Sequence, residues 1–142
     1  MTILDDQVRD ELRRRWESLD REVTLHLFRG PSAEAADVMQ QLLTELGEVT
    51  DRVKWEPDDQ EPELEPGSAG GAALEGPVLG MSVGGERLRI RFLGVTLGLE
   101  FGTLVDAIRA AASTEPAVDA PTQAALGALR HPAHLLVFTT PT

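Results

Sequence analysis

The sequence predicts an α/β fold in which a central mixed sheet is flanked by helices. Two stretches carry that expectation. A β-rich run, Val23-Thr24-Leu25-His26-Leu27-Phe28, leads through Gly30-Pro31-Ser32 into a helical pattern, and Val53-Lys54-Trp55-Glu56 then closes a β-α-β unit. Farther on, Pro77 to Phe101 enters through a Gly-Pro step, turns at Gly84-Gly85 and alternates Leu88, Ile90 and Phe92 with Arg87, Arg89 and Arg91. That is a hairpin with one buried face, and Gly-Gly supplies the positive φ angles of a tight turn.

The remaining elements follow from the same periodicities. Asp5 or Asp6 caps a first helix with Val8, Leu12, Trp16 and Leu19 on one face. Arg9, Arg13, Arg14 and Arg15 lie mostly off that stripe, as a solvated face partly paired with Asp10, Glu11 and Glu17. Ser32 is the expected N-cap of a helix over Ala33–Leu46, which buries Val38, Met39, Leu42, Leu43 and Leu46, with Gly47 as its C-cap. After the hairpin, Phe101, Leu104, Val105 and Ile108 mark a helix ending near Ala112. A connector from Ser113 to Ala120 precedes a short helix begun by Asp119 and Pro121, with Ala124, Ala125, Leu126 and Leu129 as its apolar residues. His131-Pro132 ends it, and Leu135-Leu136-Val137-Phe138 has the composition of another buried strand. A strand of that kind needs a partner, so dimerisation by strand pairing is expected.

Between Pro57 and Gly76, Asp58, Asp59, Glu61, Glu63 and Glu65 are interleaved with prolines and followed by Gly67-Ser68-Ala69-Gly70-Gly71. This is the composition of a solvated loop. Its oxygens could serve calcium, but the prolines and the lack of a ligand ring argue against a site.

Composition excludes several function classes. The net charge of −11 over 142 residues argues against nucleic acid and against an anionic membrane surface as partners. The N-terminus lacks the basic and apolar regions of a signal peptide, and no apolar run reaches the roughly 20 residues of a membrane helix, so a cytoplasmic protein is expected. The chain contains no cysteine, which removes disulfides, thiolate ligands and thiol nucleophiles.

No catalytic constellation emerges from the residues themselves. His26 reads as a core or edge residue of its strand, and His131 and His134 are separated by Pro132, so no metal set and no metal are expected. Ser18, Ser32, Ser68, Ser82 and Ser113 stand in no nucleophile-elbow pattern. Gly80 and Gly84-Gly85 form no phosphate cradle, and no cofactor is expected.

The order of elements, with Arg91-Phe92-Leu93-Gly94, Gly98-Leu99-Glu100-Phe101 and Phe138-Thr139-Thr140-Pro141-Thr142, resembles the first unit of a two-unit thioredoxin-like group. The group comprises the tandem-thioredoxin protein disulfide oxidoreductases of thermophiles and the N-terminal region of the flavin-containing alkyl hydroperoxide reductase component. The resemblance covers nearly the whole chain, although the family often carries Pro and His where this chain has Thr96 and Leu99. It implies a thioredoxin-like domain over 1–114, with 57–76 as its acidic Pro/Gly-rich loop. It also implies that 115–142 is a connector, short helix and strand resembling the beginning of a second unit. The resemblance places a redox Cys-x-x-Cys at Ala33-Glu34-Ala35-Ala36, so that Ala33 and Ala36 are vacated cysteine positions. Pro77 corresponds to the proline that is cis in thioredoxin folds, which makes Gly76 and Pro77 the candidate peptide groove.

The expected function is therefore that of a non-catalytic thioredoxin-like scaffold or docking domain. Its expected partner is a redox-active thioredoxin-like unit, or a second copy in a homodimer. The alternative expectation is the N-terminal fragment of a two-unit thiol-disulfide oxidoreductase whose active Cys-x-x-Cys lies beyond Thr142.

Overall fold

Asp5 starts the first helix, α1 (Asp6–Arg15), by accepting the Val8 backbone N–H at 2.8 Å. The structure is a computed structural model that describes residues 1–60, 62 and 75–139. Trp16 caps α1 at its C-terminus, so Leu19 lies beyond the helix, yet both side chains are buried in the core. Most of the expected acidic loop falls outside the described residues.

Strand β1 (Val23–Phe28) is followed by α2 (Ala33–Val49) and β2 (Val53–Pro57). Ser32 holds the N-cap position of α2, but its side chain makes no capping hydrogen bond. Gly47 is not the C-cap expected from sequence: the helix runs through it to Thr50. A Cβ there would stand 3.5 Å from the Val53 carbonyl oxygen, an ordinary contact distance, so the helix continues through Gly47 without strain.

Strands β3 (Val78–Val83) and β4 (Glu86–Leu93) form the hairpin, turning on Gly84 at φ 60° and Gly85 at φ 82°. The four-stranded sheet has the order β2-β1-β3-β4, with β1 parallel to β2 and antiparallel to β3. Alternation along the strands puts Val23, Leu25, Leu27, Leu79, Met81 and Val83 on the core face. Against them pack Met39, Leu42, Leu43 and Leu46 of α2, and Leu104, Val105, Ile108 and Ala112 of α3 (Leu99–Ala112).

The hairpin departs from simple alternation at one place. A register shift in β4 lies opposite the stretch between Gly80 and Ser82, and Ile90, expected on the buried face, is 39% exposed. Leu88 and Phe92 do pack against the core. The extra residues of a bulge turn part of the strand away from its ladder, which no alternation count reveals.

The short helix α4 (Ala120–Gly127) forms behind an Asp119 cap, but Leu126 and Leu129 remain exposed. The expected strand at Leu135–Phe138 does not form among the described residues: these side chains are 86%, 45%, 86% and 80% exposed. Apolar composition alone cannot make a strand, because the segment finds no neighbouring strand to complete its backbone hydrogen bonds.

Candidate functional site

The first turn of α2 places Ala33 on the surface and Ala36 fully buried, three residues on and on an adjoining face. The turn before it bends at Gly30, with φ 66°, and presses directly onto Gly76: a Cβ on Gly30 would collide with the Gly76 carbonyl oxygen. Pro77 is buried beside it, and its carbonyl accepts the Gly94 N–H at 2.8 Å. The structure therefore brings the turn before α2 and the Gly-Pro step together. The Gly76–Pro77 peptide, whose isomer the sequence leaves open, is trans. Next to this junction, at the C-terminal ends of the parallel strands, lies a cavity of about 490 Å³ lined by Leu27, Phe28, Gly30, Pro31, Pro57 and Asp58, among others.

A second cluster occupies the sheet face away from the core. The register sets Glu56, His26, Gly80 and Arg91 in one row across the four strands, with Ser82 opposite Arg87 nearby. His26 is only 6% exposed and its Nε2 lies 2.7 Å from Ser82 Oγ. Its buried Nδ1 is 2.9 Å from a Glu56 oxygen, a distance at which the two pair when the ring is protonated. Burial pushes the His26 pKa down, and the Arg87 charge adds to this; Glu56 and Asp58 oppose it. Arg87 pairs with Asp58 at 2.7 Å and thereby holds that carboxyl below its ordinary value. Among the described residues, no group of three or more His, Cys, Asp or Glu side chains is placed to hold a metal ion.

No protein-family model matches this sequence, nor does any curated protein. Solved structures do match. The chain superposes on the NTD_N/C domain of alkylhydroperoxide reductase AhpF from Enterococcus faecalis with a TM-score of 0.69 and 22% identity. That match covers 86% of this chain and 59% of the other. A mutant of AhpF from the same organism gives a TM-score of 0.70 and 24% identity, over 89% of this chain and 61% of that one. The chain has a thioredoxin-like fold. It spans about three-fifths of the length of those solved chains.

Ala33 and Ala36 lie in the first turn of α2, and the turn before it, at Gly30, meets Gly76. The His26–Ser82 contact was missed. His26 and Ser82 are 56 residues apart, and only the antiparallel β1–β3 register makes them neighbours. The available signal was a polar residue at alternate positions of two apolar strands, which marks a second, non-core face.

Proposed function

We propose that this chain is a non-catalytic thioredoxin-like docking domain that works beside a redox-active thioredoxin-like unit. The observation that carries the reading is the combination of a kept frame and an emptied site. Ala33 and Ala36 stand at the first turn of α2, and the 142 residues contain no cysteine. Thiol–disulfide exchange begins with a thiolate attacking a disulfide, so a chain without thiols has no attacking group. What is left is a surface. The junction of Gly30, Gly76 and Pro77 with its adjoining cavity offers backbone and apolar area for an extended segment, the mode in which a sheet protein recognises a peptide strand.

In this reading residues 1–114 are the docking unit, and 115–142 lead toward the partner. The exposed Leu126, Leu129 and Leu135–Phe138 favour a second reading: the chain as the inert N-terminal unit of a thiol-disulfide oxidoreductase whose Cys-x-x-Cys lies beyond Thr142. Burying such side chains against another unit would gain roughly 1.5–3 kcal/mol for each large one. A homodimer would use the same surface.

Reduction of insulin disulfides by dithiothreitol tests the absence of catalysis. The wild-type chain is expected to leave the blank rate unchanged. Ala33→Cys/Ala36→Cys is expected to raise it, because the surface and buried positions of one helical turn suit an attacking and a resolving thiol. Acceleration by the wild-type chain would overturn the reading.

A further inference from the structure

The cluster on the far face of the sheet is built around a cavity of about 280 Å³, lined by His26, Asp58, Gly80, Arg87 and Arg91 among others. That size falls just below the usual range for drug-sized ligands and suits a small molecule or a single functional group. The Arg91 guanidinium lies flat over Gly80: a Cβ there would be 3.5–3.6 Å from its Nη1, Cδ and Cζ atoms. Its Nη1 is fixed by the Leu88 and Ile90 carbonyls at 2.6 and 2.8 Å, and it has no carboxylate partner among the described residues. Arg87 is pinned by Asp58 on the same side. Two guanidinium groups and the Asp58 carboxylate thus line the cavity with the buried His26 imidazole, while the Glu56 carboxylate, 2.9 Å from the imidazole Nδ1, lies outside the lining. In a chain of net charge −11, Arg91 is a partly desolvated cation held at the cavity by backbone carbonyls and paired with no carboxylate among the described residues.

We propose that this cavity binds a small oxyanion, a phosphoryl or carboxylate group, held by Arg91 and Arg87 beside His26. Arginine is suited to the task because its planar fork meets two oxygens at once, and hydrogen bonds between charged groups are the strong ones. The cations argue against a metal ion, and Phe28 and Val78 on the cavity wall leave room for a small apolar body attached to the anion. The inference stands apart from the docking reading, since it uses neither Ala33, Ala36, Gly76 nor Pro77.

The test is an NMR titration of the full chain, following the His26 ring and the arginine side chains. Sodium phosphate and sodium acetate are added in separate arms at matched ionic strength. Saturable shifts centred on His26 and Arg91 are expected in at least one arm. Saturation by phosphate alone assigns a phosphoryl group, and by acetate alone or by both a carboxylate or general oxyanion site. Arg91→Gln should weaken the affinity at least tenfold, Arg91→Lys less, and Arg13→Gln on α1 not at all. Arg91→Lys keeps the comparison available where Arg91→Gln fails to fold. Linear, unsaturable shifts in both arms, or an Arg91→Gln protein that binds as tightly as wild type, would overturn the proposal.

Discussion

Gly30 and Gly76 meet backbone to backbone, so closely that a Cβ on the first would run into the carbonyl oxygen of the second. Gly30 also has φ 66°, the left-handed region that costs a side chain energy. Both features force glycine there, and together they lock the turn before α2 against the Gly-Pro step.

Gly30→Ala should therefore destabilise the fold by about 2–4 kcal/mol, from backbone strain plus the collision. Urea unfolding measures this directly. The same substitution at Gly85, where φ is 82° but nothing lies within reach of a Cβ, should cost only the strain, about 1–2 kcal/mol.

Glu45 binds the N-terminal segment to α2. It is 2% exposed and accepts the Ile3 and Leu4 backbone N–H groups at 2.8 Å each, and the Arg9 guanidinium at 2.8 Å. Burial alone would raise its pKa, but hydrogen bonds from Gln41, Ile3 and Leu4, together with the Arg9 charge, hold it at about 2 instead of 4.5. A carboxyl depressed on folding adds stability above its unfolded pKa and loses it as pH falls through the folded one. Unfolding free energy should accordingly drop, by up to about 3 kcal/mol, as pH falls from 4.5 to about 2. Glu45→Ala should cost about 3 kcal/mol or more at neutral pH, since buried donors and Arg9 lose their acceptor together, and should flatten that acid slope.

His26 works in the opposite pH direction from an ion-paired histidine. Its pKa is lowered from the ordinary 6.5 by burial first and then by Arg87, against the pull of Glu56 and Asp58, with Ser82 at its other nitrogen. The unfolded chain binds the proton more readily, so this contribution is full above pH 6.5 and declines below it. The urea midpoint should fall as pH drops below 6.5, and His26→Gln should remove most of that slope.

From Thr114 to Thr139 the segment after α3 is exposed, including α4. Limited chymotrypsin digestion should cut there first, at Leu129 or Phe138, and leave a resistant core ending near Ala112. Truncation after Thr114 should change unfolding free energy by no more than about 0.5 kcal/mol, the scale of surface changes.

Much of the fold was legible in the sequence because it rests on local signals: the β-rich composition of β1, the apolar stripe of α2 and the Gly84-Gly85 turn each read directly. The failures share a physical cause. Ile90 faces outward because of a bulge, and Leu135–Phe138 lacks a neighbouring strand. Each depends on what lies across space. At the candidate site, the reading of Ala33 and Ala36 came from a resemblance; the His26, Ser82, Arg91 cluster emerged only from the sheet register.

The most direct measurement is an NMR titration of the isotope-labelled chain with an unlabelled thioredoxin-like unit carrying Cys-x-x-Cys. The docking account predicts saturable shifts at residues 29–33 and 76–78, or along 126–138, with Ala33 and Pro77 variants weakening the first set. Unchanged resonances throughout, at millimolar partner, would contradict it.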